Sequence, residues 1–274
     1  MIQFPNCKIN LGLSILEKRT DGFHGLETVF YPVALNDSLE IVLNNHPNND
    51  TVEFTSTGNP IPGNVSGNLC IKAYHLLKKD FPKITAVKIH LHKIIPMGAG
   101  LGGGSSDGAF TLIMLNDLFE LKLAQAELIN YAAQLGSDCP FFILNQAAHA
   151  TGRGEILQPI DIDLSNYSFA LIHPDIPIST AWAFQQIKPG VKEKTIAAII
   201  QAPIQTWKDH LINDFEQAVF GAHPHLQTIK NELYQQGAIY ASLSGSGSTI
   251  FGIFPKGHRL EPAPAFIKST INLI

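Results

Sequence analysis

Residues 96–108 read PMGAGLGGGSSDG, with five glycines in the seven positions from Gly98 to Gly104. Residues 109–119 (AFTLIMLNDLF) follow and are apolar enough for a buried helix. Backbone without Cβ atoms can approach a polyanion closely, and the open N–H groups and dipole of a helix start favour negative charge there. A tight or flexible linker is the alternative, but a loop that costs this much backbone entropy usually has a ligand to order it. Gly98, Gly100 and Gly103 also spell G-x-G-x-x-G, a weak sign of a dinucleotide fold. The chain before them reads as antiparallel strands and turns, which does not suit a Rossmann unit. Gly98 and Gly103 have the Walker interval, yet Gly104 stands where lysine belongs. The stretch is a phosphate loop without lysine.

Working outward, residues 7–15 alternate, with Ile9, Leu11, Leu13 and Ile15 on one parity and Lys8, Asn10, Gly12 and Ser14 on the other. This predicts a half-buried strand with Lys8 and Asn10 on its polar face. Strands are also expected at 38–43, with Leu39, Ile41 and Leu43 inward, and at 87–91. Residues 44–50 (NNHPNND) and 58–64 (GNPIPGN) read as turns. Ser105, Ser106 and Asp107 are the expected caps of the helix after the loop, and a second helix at 124–135 should stop at a left-handed Gly136. Further on come a strand at 169–173, a polar stretch at 185–208 and a helix from about Asp214. Two apolar runs at 239–243 and 249–254, joined by SGSGS, suggest a hairpin. A boundary near Gln158 divides the chain into domains 1–157 and 158–274.

The 274 residues are 45% hydrophobic and 15% charged, a globular balance. A net charge of -4 gives no global attraction to nucleic acid or anionic lipid, so any phosphate site is local. Cys7, Cys70 and Cys139 are odd in number and lack metal spacing, which points to a reduced compartment. The start, MIQFPNCKINL, has no leader pattern, and no run of about 18 apolar residues occurs. A cytoplasmic protein with neither nucleic-acid nor membrane partners is expected; the oligomeric state is not indicated.

PMGAGLGGGSSDGA resembles the central motif of the GHMP kinase superfamily. PNCKINLGLSI with RTDGFHGLETVF, then GSDCPFF, then SLSGSGSTIFGIF resemble, in family order, the branch that acts on 4-diphosphocytidyl-2-C-methyl-D-erythritol. The resemblance implies an α+β, two-domain GHMP kinase fold: an N-terminal domain like domain 2 of ribosomal protein S5 and a ferredoxin-like C-terminal domain. It implies ATP-dependent phosphorylation of the substrate's 2-hydroxyl, on the non-mevalonate route to isoprenoid precursors, in a cleft between the domains. ATP is the donor, and Mg²⁺ screens its phosphates.

Asp138, between Gly136 and Pro140, reads from the residues alone equally well as a base or as the N-cap of a short helix. Lys8 and Asn10 would by themselves be solvated strand residues, Lys93 a solvent-facing strand end, and Phe23 and Phe184 core. The resemblance implies more. Asp138 and Lys8 become catalytic, and Pro96, Met97, Gly98, Ala99, Gly100, Leu101, Gly102, Gly103, Gly104, Ser105 and Ser106 bind ATP. Asn10, Phe23, His24, Lys93, Thr180 and Phe184 bind substrate, with Phe23 and Phe184 sandwiching the cytosine and His24 reading its edge. Phe23 stands where tyrosine is usual, so the phenolic hydroxyl is lost. Ser106 has phosphate, magnesium and helix capping as alternatives, and the loop at residues 244–247 shapes the site or is a plain hairpin turn. Magnesium ligands are unassigned, with Glu155, Asp107 and Asp138 the acidic candidates. The rivals are a kinase for homoserine, mevalonate or a sugar, and a non-catalytic nucleotide-binding module.

Overall fold

The computed structural model describes residues 1–44 and 51–259, and the backbone of a last strand at Ser269–Leu273. The turn expected at 44–50 therefore lies, beyond Asn44, outside the described residues. Two compact units are distinguished, each built from several chain segments. The first holds Met1–Cys7, Ala34–Met97 and Gly102–Gln146; the second holds Lys8–Val33, Gly98–Leu101 and Ala147–Ile274.

Strand β1 spans Ile2–Gln3, and the long strands β2 (Asn6–Lys18) and β3 (His24–Asn36) run mainly through the second unit. The first unit continues with β4 (Ser38–Leu43), β5 (Val52–Gly58), α1 (Leu69–Asp80) and β6 (Val87–Lys93). After these come α2 (Gly103–Leu118), α3 (Gln125–Leu135) and α4 (Cys139–Leu144). Its sheet has the order β1-β4-β6-β5, antiparallel except for β5 and β6, which are parallel. Helix α1 makes the crossover that such a pair needs. The loop is thus preceded by a βαβ unit rather than the antiparallel chain expected from the sequence. The Asn68 side chain caps α1 by accepting from Cys70 N, and Cys70, Tyr74 and Leu77 form its buried stripe. In β4, Leu39 and Ile41 are buried as expected. Leu43 is 47% exposed, because alternate burial ends before the strand does, at an exposed Val42.

Helix α2 begins at Gly103, six residues earlier in the chain than its apolar run suggested. Its N-cap is Gly102, at φ 70° and with no capping side chain, so Ser105, Ser106 and Asp107 lie inside the helix and do not cap it. Helix α3 does end at Gly136, but at φ 173°, extended backbone rather than a left-handed cap.

In the second unit β7 (Ala148–Thr151) and β8 (Ile156–Pro159) extend the sheet β2-β3-β7-β8. Every residue of β2 from Cys7 to Ile15 is buried, so the expected solvent face is covered too. The remaining elements are β9 (Tyr167–His173), α5 (Thr180–Gln185), α6 (Ile196–Ile200), α7 (Trp207–His210), α8 (Phe215–Ala222) and α9 (Pro224–Gln235). Strands β10 (Tyr240–Leu243), β11 (Ile250–Pro255) and β12 (Ser269–Leu273) complete the chain. The polar stretch at 185–208 therefore contains two short helices, anchored by buried Ile196, Ile200, Ile204 and Trp207. Strands β10 and β11 form the expected hairpin. The order β10-β11-β9-β12 is antiparallel throughout and places β11 between the parallel β9 and β10, the split β-α-β arrangement of ferredoxin-like domains. Leu13, Ile15, Ile172, Val219, Ile229, Leu243 and Ile250 pack into its core. Each such side chain contributes roughly 1.5–3 kcal/mol by leaving water.

Candidate active site

In the first unit the start of α2, at Gly103, lies beside a buried ion cluster. Lys93 Nζ donates to Asp37 Oδ2 at 2.5 Å and to Asp107 Oδ2 at 2.6 Å. Asp37 Oδ1 accepts from the backbone of Ile94 (2.6 Å) and Ile95 (2.9 Å). Lys93 is 1% exposed, so it is not a solvated strand end; it ties two carboxylates together. Burial alone would lower its pKa, but Asp107 and Asp37 more than offset that and raise it. Asp107 is pushed up to about 7, chiefly by burial and further by Asp37, against the pull of Lys93. A Cβ on Gly103 would lie 2.7 Å from Ile95 Cγ2 and 3.0 Å from Lys93 Nζ, whereas one on Gly104 would meet only Met97, at 3.5 Å. Among the described residues, Ser106 Oγ and Asp107 Oδ1 are buried without a hydrogen-bond partner.

Beside Gly104 opens a cavity of about 320 Å³, lined by apolar Phe54, Ile61, Val65, Leu69 and Met97 with Asp107. An apolar pocket with a few polar groups next to a phosphate loop suits the base of a nucleotide. Sequence reasoning missed it, because its walls come from β5, the turn after it and the start of α1. Asp138 is the N-cap residue of α4, yet its side chain makes no capping bond.

In the second unit residues 98–101 are woven into the protein. Lys8 N donates to Leu101 O (3.0 Å), Thr249 N to Ala99 O (3.2 Å), and Ser244 Oγ to Gly100 O (2.9 Å). Gly100, at φ 79°, has Ser244 O only 2.0 Å from where a Cβ would stand. Lys8 is buried: its Nζ donates to Asn10 Oδ1 (2.7 Å) and lies 4.7 Å from the Phe30 ring centre. Asn10 Nδ2 in turn donates to Thr28 Oγ1 at 3.0 Å. The loop at 244–247 is more than a hairpin turn. Buried Asn213 donates to Leu243 O and Gly245 O, both at 2.8 Å, and Thr180 Oγ1 lies 3.0 Å from Ser246 Oγ. Asn213 was not anticipated; its only signal was its place just before the acidic start of α8.

The aromatic residues belong to this unit too, with Phe184 on the same helix as Thr180. His24 stacks on Phe184 with ring centres 5.0 Å apart and planes 16° apart, and Phe184 also meets Phe215 edge-on at 4.9 Å. Phe23 is 53% exposed, with the Arg153 guanidinium 4.9 Å from its ring centre. Glu155, one acidic candidate for magnesium, is instead engaged with Arg153.

A lysine-free glycine loop opening a helix, an apolar cavity beside it and a ferredoxin-like partner sheet describe a small-molecule kinase. The sequence profiles of the GHMP kinases N terminal domain and of GHMP kinases C terminal match residues 68–146 and 197–270. The chain belongs to the GHMP kinases, a class of ATP-dependent phosphotransferases. Within that class it belongs to the 4-diphosphocytidyl-2-C-methyl-D-erythritol kinase family. The relative of that name from Bacteroides thetaiotaomicron is 53% identical over 94% of this chain and 93% of its own, and that from Cytophaga hutchinsonii is 51% identical over 93% and 92%. A crystal structure of 4-(cytidine 5'-diphospho)-2C-methyl-D-erythritol kinase superposes with a TM-score of 0.78 at 31% identity, over 92% of this chain and 90% of that one. Methanococcus jannaschii mevalonate kinase shares the fold at 14% identity and a TM-score of 0.69, over 94% and 92%.

Proposed function

We propose that this chain transfers the γ-phosphoryl group of ATP to the 2-hydroxyl of 4-diphosphocytidyl-2-C-methyl-D-erythritol, giving ADP and the 2-phosphate. The observation that carries this choice is the His24–Phe184 stack beside the exposed ring of Phe23. Two aromatic surfaces suit a flat base, and homoserine, mevalonate or a sugar has none to stack. The acceptor hydroxyl is held by Asn10, polarised by Lys8 and deprotonated by Asp138. Thr180, braced by Ser246, contributes to the substrate side. Lys93 acts through Asp107 and Asp37 as a positioning group under the loop rather than by touching substrate.

ATP places its phosphates along residues 96–106, at the uncapped start of α2, and its base in the cavity beside Gly104. Magnesium fits as a passenger on the phosphates. Among the described residues no group of three or more His, Cys, Asp or Glu side chains is arranged for a metal, and Mg²⁺ commonly keeps waters and substrate phosphates as ligands. When bound it screens the phosphate charge. Among the described residues no helix is long and apolar enough to cross a membrane, and a cytoplasmic location remains part of the proposal. So does the division into domains 1–157 and 158–274, although β8 runs through that position. Coupled ADP release with the cytidylated alcohol, beside homoserine and mevalonate, tests the reading. Turnover of either simple alcohol in preference to the cytidylated one would overturn it.

A further inference from the structure

Phe23 poses a physical problem that the turn around it answers. An exposed phenyl ring has no polar handle to fix its orientation, and a ring free to rotate loses entropy when a ligand orders it. The backbone under it is already set: Arg19 N donates to Phe23 O (2.8 Å), and Asp21 Oδ1 accepts from Phe23 N (3.1 Å). Arg19 closes the turn through its ion pair with Asp21 at 2.9 Å. The ring itself is met by Arg153, whose guanidinium carbon lies 4.9 Å from the ring centre.

Arg153 is held in turn. It sits between Gly152 and Gly154 in the β7–β8 turn, which is joined to β3 where Leu26 N donates to Gly152 O at 2.8 Å. Glu155 Oε2 accepts from Arg153 N, and Glu155 Oε1 lies 3.5 Å from Arg153 Nε. A planar cation braced by a carboxylate thus lies over the ring of Phe23, which stays 53% exposed.

We propose that Arg153, braced by Glu155, is a specificity-determining positioning residue: it clamps one face of Phe23 so that the opposite face is presented, pre-oriented, to the pyrimidine of the substrate. The inference rests on the cytidine reading above.

The test is a double-mutant cycle read by calorimetry with cytidine diphosphate, in parent, Arg153→Ala, Phe23→Leu and the double variant, with Arg153→Lys as the conservative control. Arg153→Ala should weaken cytidine diphosphate roughly two- to fivefold, the range of an exposed cation–π contact. It should raise KM for the cytidylated alcohol equally, while kcat and ATP affinity stay as in the parent; Arg153→Lys should recover part of the loss. In the Phe23→Leu background Arg153→Ala should have no further effect. Unchanged binding in Arg153→Ala, or an equal loss with and without the Phe23 ring, would sink the proposal alone. A parent enzyme that does not bind cytidine diphosphate would sink the cytidine reading and this proposal with it.

Discussion

Asp138 occupies the N-cap of a six-residue helix without spending its carboxylate on the cap. Asp138→Asn should stay folded and bind ATP while kcat drops at least about 100-fold, the scale of a general base. Steady-state kinetics with a melting curve checks this, and near-parental turnover in a folded variant would remove Asp138 from the mechanism. Phe184 has a divided role, since its ring meets both His24 and the buried Phe215. Phe184→Ala should therefore weaken cytidine diphosphate by roughly 1–3 kcal/mol. It should also lose part of the roughly 3–5 kcal/mol that a core phenylalanine contributes to stability. A lower melting temperature with unchanged ligand affinity would make the ring structural only.

At the scale of the element, the start of α2 separates two glycines that look alike in sequence. Gly103 is confined by Ile95 and Lys93 of the protein itself, whereas Gly104 has room for a side chain and lines the cavity. Gly103→Val is thus expected to destabilise the first unit, while Gly104→Val should melt like the parent and weaken ATP selectively. Paired thermal melts and ATP calorimetry distinguish them; a Gly104→Val variant with parental ATP affinity would mean that the loop's backbone does not meet phosphate there. Asp107, one turn further along, gives the same element a pH signature. Its carboxyl is raised from 3.8 to about 7, so the folded state keeps a proton that the unfolded chain has released. The stability this contributes is present below about pH 4 and is lost as the pH rises through about 7. Stability of the parent relative to Asp107→Asn should accordingly fall across that window in denaturant titrations. A difference independent of pH would show that Asp107 ionises normally in the folded protein.

At the scale of the whole molecule, Cys7, Cys70 and Cys139 are buried and outside any disulfide, one in each stretch of the first unit. Burial raises the Cys70 and Cys139 thiols, Cys139 to about 12, so little nucleophilic thiolate is present at neutral pH. Native protein should leave these thiols almost unreacted toward a thiol reagent, and denatured protein should titrate three. Rapid labelling of the native state would contradict the packing around α1 and α4.

The glycine loop, the apolar helix behind it, the hairpin at 240–255 and the family itself were legible in sequence, because each depends on residues close along the chain: backbone freedom, periodicity and turn chemistry act locally. What only the tertiary structure decided is which polar residues are buried and with whom. Lys8 read as a solvated strand residue until Asn10 and the covering of both β2 faces were seen, and Lys93 as a solvent-facing strand end until Asp37, 56 residues away, closed on it. Asn213 showed in sequence only its place before α8 and nothing of its partners, since the loop it holds lies 30 to 32 residues downstream. A buried charge or amide is stable only with a partner, and that partner is chosen by how distant segments pack, which no local window of sequence contains.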